Sequence, residues 1–521
     1  MNELRALLCE SQALRAAGDV KGAVATLVRA AREHPGAAGA WTALGGLLMD
    51  IALAQPAAGT AARSPLPAAQ EAFERAVALA PDDGAVLGSA AMAARYACDW
   101  TRSEALQRDL EAALDRAAAP LSPLIGVALL DDPARLLAAT RAFAETLPAP
   151  VARASGPVRQ RAGPLRVGYL SSDFHDHATA HLVAGLFERH DRARVTAFAY
   201  ALDRDDRSAM RRRLVRAFDG WRDLRELDDD AAARAIEADS LDVLVDLKGH
   251  TQGARPGILA RRPAPVQIHY LGFPGTLAMP SIDALVADEV VVPEGDERHY
   301  AEPVLRLPGC YQVNDRDRPL PKAPARASVG LPDDALVLCC FNQTYKLTRP
   351  FFEAWLDALA RHRDAVLWLG VPLEPVRARL RAFAAECGVA AERLVFAGHA
   401  KQAEHLARLR CADLALDVLP YGSHTTGSDA LWCGVPLLTV TGATFAGRVG
   451  TSLVRAAGLP AFAAGSFAAY RERLDELVKH RGELAAAHEH LERERLNLPL
   501  FDTERFARDF EALLERAAGG R

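Results

Sequence analysis

Lysine is rare in this chain. Of 62 basic residues only six are lysines: Lys21, Lys248, Lys322, Lys346, Lys401 and Lys479. Arginine serves wherever a generic positive charge suffices, so each remaining lysine is informative as a compact ammonium rather than a planar fork. Cysteine is sparse and scattered: the eight cysteines form no CxxC pair and no zinc-ligand spacing. They read as buried thiols of a reducing cytoplasm. No apolar run approaches the ~18 residues of a membrane span. The formal net charge of −5 offers no basic field for nucleic acid. The first residues lack a basic segment followed by an apolar one, so no export signal is expected. A cytoplasmic protein without nucleic-acid or membrane partners is the resulting expectation.

At 521 residues the chain is too long for a single core, and 50% hydrophobic with 25% charged residues is ordinary globular composition. Residues 1–118 are rich in helix formers and contain a repeat. Ala23, Leu27, Ala30 and Pro35 are spaced like Ala69, Phe73, Ala76 and Pro81, with Trp41, Leu44 and Gly45 before the second set. This spacing is that of tetratricopeptide-like helix pairs, with small residues where two helices cross. A Pro/Ala/Gly-rich insertion near 55–67 interrupts the second unit, and a third runs from about 84 to 114. Residues 119–164 read as a helical connector and linker.

From residue 165 the pattern changes to apolar runs alternating with helical stretches, the cadence of an open parallel sheet. Strands are expected at 165–170, 195–200, 243–247, 266–271 and 284–287, giving a first Rossmann-like domain over 165–308. The polar, proline-rich stretch 309–330 reads as a linker. A second α/β domain over 331–498 has strands expected at 335–341, 365–369, 394–396, 414–418 and 436–440. Its helices are expected at 349–361, 373–386, 402–411 and 426–433. Residues 499–521 carry a C-terminal helix from 503 to about 517. Ligands of such sheets bind beyond the carboxyl ends of the strands.

Five segments at those ends carry chemistry. LSSDFHDHATAHL (170–182) crowds Asp173, His175, Asp176, His177 and His181 after the first strand. His177 and His181, at i and i+4, raise a metal reading, but no HExxH and no dedicated carboxylate accompany them. LVDLKGHTQGAR (244–255) offers Asp246, Lys248, His250, Thr251 and Arg255. APVQIHYLGFPGT (264–276) holds a Gly272–Thr276 turn where a ligand could approach backbone. CCFNQTYKLTRP (339–350) sets Asn342, Gln343 and Lys346 just past a strand, a combination suited to a diphosphate. LDVLPYGSHTTGSDALWCGVP (416–436) opens a helix at HTTG, where the N–H groups of Thr425, Thr426 and Gly427 would favour an anion. Asp429, in its first turns, could accept bonds from ribose hydroxyls. Lys401, His405 and Arg408 share one helix face at +4 and +3.

The ordered set SSDFxxHxTxHL, KGHTxGAR, RPAPVQxxxLGFPGT, FNQxYK and HTTGxDxLWxGVP, after such repeats, closely resembles the protein O-linked N-acetylglucosamine transferase family. That family includes its bacterial homologues and the SPINDLY-like proteins. The resemblance runs from about residue 8 to about 517 and implies an α/β fold of GT-B type, with two Rossmann-like domains after an all-α repeat region. It implies an inverting, metal-independent glycosyltransferase without a cofactor, using UDP-N-acetylglucosamine as donor and protein Ser/Thr hydroxyls as acceptors. By resemblance the diphosphate contacts fall on Gln343, Lys346, His424, Thr425 and Thr426, and the ribose contacts on Lys401 and Asp429. The uracil side falls on Ala400, His405 and Arg408. Asp246, His250, Thr251, Leu271 and Gly272 lie on the sugar and acceptor side. His177 is the motif histidine, a base or an orienting group beside the catalytic Lys346. Ala178 stands where the family usually has proline. The spacing from Lys401 to His405 is one residue longer than in the animal enzymes, and their large domain between the catalytic halves is missing.

The repeats are expected to bind the acceptor polypeptide, leaving the donor to the α/β domains, so that a chain beginning near Arg159 should still bind UDP. Two rivals remain: a SPINDLY-like O-fucosyltransferase using GDP-fucose, with N-linked glucosyl transfer as a weaker variant, and an inactive repeat-based adaptor.

Overall fold

The computed structural model describes residues 2–54, 64–117, 119–151 and 163–519. The chain divides into two compact units, Met1–Leu129 with Ala325–Lys401 and Leu130–Pro324 with Gln402–Arg521.

In the second unit seven parallel strands form one sheet: β1 (Leu165–Ser171), β2 (Val195–Ala201), β3 (Gly220–Asp223), β4 (Val243–Asp246), β5 (Val266–His269), β6 (Ala284–Ala287) and β7 (Val304–Arg306). Their order is β3-β2-β1-β4-β5-β6-β7. The central strands β1, β4 and β5 are buried almost throughout. That is why they read as continuous apolar runs rather than alternating ones. The edge strands β3 and β7 escape the sequence reading. Gly-Trp-Arg-Asp and Val-Leu-Arg are short and only partly buried, so neither shows an apolar run. The helix Thr503–Gly519 packs into the same unit, with Phe510 4.9 Å from the Tyr270 ring and Glu511 accepting from His190 Nδ1 at 3.1 Å.

The first unit opens with six helices, Asn2–Ala16, Val20–Glu33, Ala38–Ala54, Leu66–Leu79, Gly84–Tyr96 and Trp100–Arg116. They form three consecutive pairs. Ala23, Leu27 and Ala30 line the buried face of one helix, Ala69, Phe73 and Ala76 that of its repeat. A Cβ on Gly45 would lie 2.9 Å from the Phe73 ring, so the crossing requires glycine. Asp19, Asp83 and Asp99 cap the helices that follow them by accepting from backbone N–H groups. Most of the expected insertion, at 55–63, lies outside the described residues, as does 152–162 of the connector.

The same unit then contributes β8 (Leu336–Cys340), β9 (Ala365–Gly370) and β10 (Leu394–Ala397), parallel in the order β10-β9-β8. Helices Arg349–Arg361 and Glu374–Glu386 alternate with them. The second unit also contains β11 (Leu414–Leu416), β12 (Leu437–Val440) and β13 (Ala463–Ala464), which pair in parallel in that order.

The stretch 309–330 is polar in sequence, yet residues 310–315 and Arg318 are buried. Tyr311 N donates to Asp288 Oδ2 at 2.8 Å, Asn314 O accepts from Thr503 Oγ1 at 2.8 Å, and Asp315 accepts from Arg213 at 2.5 Å. These bonds anchor the stretch inside the second unit, which hydropathy cannot register. No helix of the described residues is long and apolar enough to cross a membrane. No disulfide joins the eight cysteines.

Candidate active site

The loops after β1, β4 and β5 in the second unit are braced by buried charge. Lys248 Nζ donates to both Asp173 oxygens at 2.8 and 2.7 Å, tying the first loop to the second. Asp246 accepts from Lys248 N at 3.1 Å and Gly249 N at 2.7 Å, which closes the turn after β4. His269, at the end of β5, lies 3.4 Å from Asp246 through Nδ1 and donates from Nε2 to Phe273 O at 2.8 Å. Burial disfavours its charged form, but Asp246 and the Phe273 carbonyl outweigh burial and raise its pKa.

His250 donates from Nε2 to Leu277 O at 2.8 Å, and burial holds its pKa at about 4, so it is neutral near pH 7. Thr251 Oγ1 donates to Lys248 O at 2.8 Å. Leu271 adopts φ +68°, a left-handed conformation uncommon for leucine. A Cβ on Gly272 would fall 2.0 Å from the Leu247 carbonyl oxygen, so this turn admits only glycine. Asp246, His250, Thr251, Leu271 and Gly272 therefore belong to one braced cluster of turns.

His177 is the N-cap of the helix Ala178–Arg189, and its Nδ1 accepts from Thr179 N at 3.2 Å. It lies 3.5 Å from Asp173. Burial lowers its pKa, with Asp173 opposing and Lys248 assisting. A neutral imidazole whose Nδ1 accepts carries its proton on Nε2, a tautomer assigned from this hydrogen-bond network. His181 pairs instead with Asp176 at 2.6 Å. Among the described residues no three His, Cys, Asp or Glu side chains are grouped to hold a metal ion.

After β11 the loop to the HTTG helix is built around Asp417. Its Oδ1 accepts from Val418 N at 2.9 Å and Ser423 N at 2.6 Å, and its Oδ2 from Thr439 Oγ1 at 2.7 Å. The helix Thr425–Trp432 begins after His424. Gly427 N and Ser428 N both donate to His424 O, at 3.1 and 3.0 Å. Gly427, expected among the anion-facing donors, is thus satisfied inside its own turn; Thr425 and Thr426 form the helix opening. Asp429 is buried and accepts from Arg318 Nη1 at 2.8 Å. Burial raises its pKa and Arg318 opposes the rise. His405 accepts from Arg408 Nε at 3.1 Å, and burial with Arg408 holds its pKa at about 4.

In the first unit the carboxyl end of β8 leads into a single 3-10 turn, Thr344–Lys346. Gln343 is exposed there, whereas Lys346 is only 9% exposed. Ala400 is half-buried and Lys401 exposed, at the end of this unit's second segment. Lys401 precedes the helix Gln402–Leu409 rather than sharing its face. Asp417 and Arg318 were missed from sequence. Nothing in an apolar strand end or a proline-rich stretch marks such residues. Lysine scarcity is the signal that marks Lys248, whose ammonium ties the first two loops together.

The glycosyl transferase family 41 model matches residues 152–324 and 320–510. The probable UDP-N-acetylglucosamine--peptide N-acetylglucosaminyltransferase SEC of Arabidopsis thaliana is 38% identical over 364 residues, 68% of this chain and 37% of its own. The probable transferase SPINDLY of Solanum lycopersicum is 28% identical over 364 residues, covering 67% and 38%. The chain spans about two-fifths of the length of these curated relatives. Among solved structures, a mutant of the Thermobaculum terrenum O-GlcNAc transferase superposes with TM-score 0.77 at 27% identity, covering 99% of this chain and 98% of that one.

Proposed function

Because the chain belongs to glycosyl transferase family 41, we propose that it transfers N-acetylglucosamine from UDP-N-acetylglucosamine to Ser or Thr hydroxyls of proteins, with inversion and without a metal. The observation that carries this reading is Lys346, a buried ammonium in the turn that ends β8 of a chain otherwise served by arginine. The acceptor oxygen attacks the anomeric carbon, the bond from that carbon to the diphosphate breaks, and UDP leaves with the bonding pair. Lys346 stabilises the charge that grows on the diphosphate. With Nδ1 used as a helix cap, His177 offers a donor, Nε2–H, to the acceptor or sugar. That favours the orienting role over the base. The hydroxyl proton then passes to a phosphate oxygen of the donor.

The test pairs calorimetric titration of UDP and GDP, with and without EDTA, with turnover of Lys346 variants. UDP binds more tightly than GDP and EDTA changes nothing. Lys346→Met folds and loses roughly 10²–10³-fold in kcat, the usual effect of removing one charge-stabilising donor. Lys346→Arg, larger and flat, loses most activity. A strict Mg²⁺ or Mn²⁺ requirement would sink the metal-free reading, tighter GDP binding would move the donor to GDP-fucose, and wild-type turnover of Lys346→Met would remove this mechanism.

A further inference from the structure

The helical region was expected to serve acceptors and to matter little to the donor. Its third helix pair, however, grips the turn that carries Lys346. Thr344 Oγ1 donates to Tyr96 O at 2.8 Å, and the Tyr96 and Tyr345 rings lie 4.9 Å apart. Trp100 Nε1 donates to Leu347 O at 2.9 Å, while its ring packs 5.1 Å from Phe352 and 5.0 Å from Phe383. Arg349 closes the far side through Glu104 and Thr101, both at 2.9 Å. The residues on both sides of Lys346 are therefore held by residues 96–104.

The grip has a local cause in the repeat. Cys98 takes φ +50°, a left-handed turn that lets the chain reverse in the three residues between Tyr96 and Trp100. Asp99 then caps the next helix by accepting from Arg102 N at 3.2 Å. Trp100, the first residue of that helix, is 4% exposed, and its one polar group is spent on the Leu347 carbonyl. A single 3-10 turn is a weak support by itself. A catalytic ammonium displaced by about 1 Å can lose about 10²-fold in rate.

We infer that Tyr96 and Trp100 are positioning residues of the donor-side site, fixing the turn from which Lys346 acts. The inference rests on the reading of Lys346 as the diphosphate contact. Trp100→Phe keeps an aromatic ring but deletes the N–H together with the five-membered half of the indole. Thr344→Val keeps the shape and deletes the hydroxyl. In the full chain each lowers kcat and weakens UDP binding by about tenfold, the scale of one lost buried hydrogen bond; the near-isosteric Thr344→Val does so with little change in melting temperature, whereas Trp100→Phe also lowers it through the lost packing. A purely structural role would not produce the second signature: in a Lys346→Met background, Trp100→Phe leaves UDP affinity unchanged. Calorimetric titration of UDP into the four forms of that cycle reads the coupling. Equal loss of affinity in both backgrounds overturns the inference. So do normal turnover and affinity of Trp100→Phe and Thr344→Val beside an impaired Lys346→Met. Wild-type behaviour of Lys346→Met overturns the inference together with the donor-side reading.

Discussion

Arg318 is nearly inaccessible, with its guanidinium 4.9 Å over the Trp432 ring and one nitrogen 2.8 Å from Asp429. Burial lowers the pKa of Arg318 and raises that of Asp429; each charge limits the other's shift. Breaking such a pair from one side costs about 3–5 kcal/mol, because the remaining charge has no compensation. Arg318→Met should therefore lower stability at pH 7 by that amount, read by urea unfolding. The sign with pH follows from Asp429. Its folded pKa, already raised, rises further without Arg318, so the deficit grows as pH climbs above the carboxyl's unfolded value of ~3.9. Near pH 4 the gap between variant and wild type should narrow. A deficit independent of pH would mean that Arg318 matters through packing alone.

The HTTG helix is positioned by the loop before it. Asp417 is 1% exposed and accepts three hydrogen bonds, two of them from the ends of the segment 418–423. An asparagine there has one acceptor oxygen and sets an NH₂ against donors. Asp417→Asn should cost roughly 1–3 kcal/mol for the buried groups left unpaired. If the helix opening binds diphosphate, the same variant should also weaken UDP binding in calorimetry. Unchanged stability would show that the loop holds without this carboxylate. None of this was legible at 414–418, which reads as one apolar strand. The observed strand stops at Leu416, because the Asp417 side chain takes up the backbone donors of the turn.

For the whole molecule, histidines decide the response to mild acid. His250 and His405 have folded pKa values of about 4, and burial also lowers those of His177 and His190. An unfolded histidine binds its proton near pH 6.5, so stability is lost as pH falls from about 6.5 toward 4. His250 and His405 each contribute about 3 kcal/mol to that loss. His175 and His269 run the other way: their carboxylate partners raise their pKa, and the stability they add is lost as pH rises. Four lowered groups against two raised ones predict a melting temperature that drops steadily between pH 6.5 and 4.5. Replacing His405 with glutamine should flatten the slope, and an unchanged slope would contradict its burial as a neutral ring.

Sequence alone determined the α/β cadence, the helix pairs and the segments at the strand ends. These depend on apolar periodicity, on glycine where a turn permits no Cβ, and on rare lysines, all local properties. The helix Arg349–Arg361 was legible to the residue, and β1 to within one. Tertiary structure alone decided which groups support which. Trp100 meets Leu347 across 247 residues of chain, and Arg318 meets Asp429 across 111. Both partnerships hide in segments that look like an ordinary helix start and a polar linker. A hydrogen bond or ion pair between distant segments leaves no periodic trace, because neither segment's own pattern specifies its partner. Only folding brings the second group close enough to replace water.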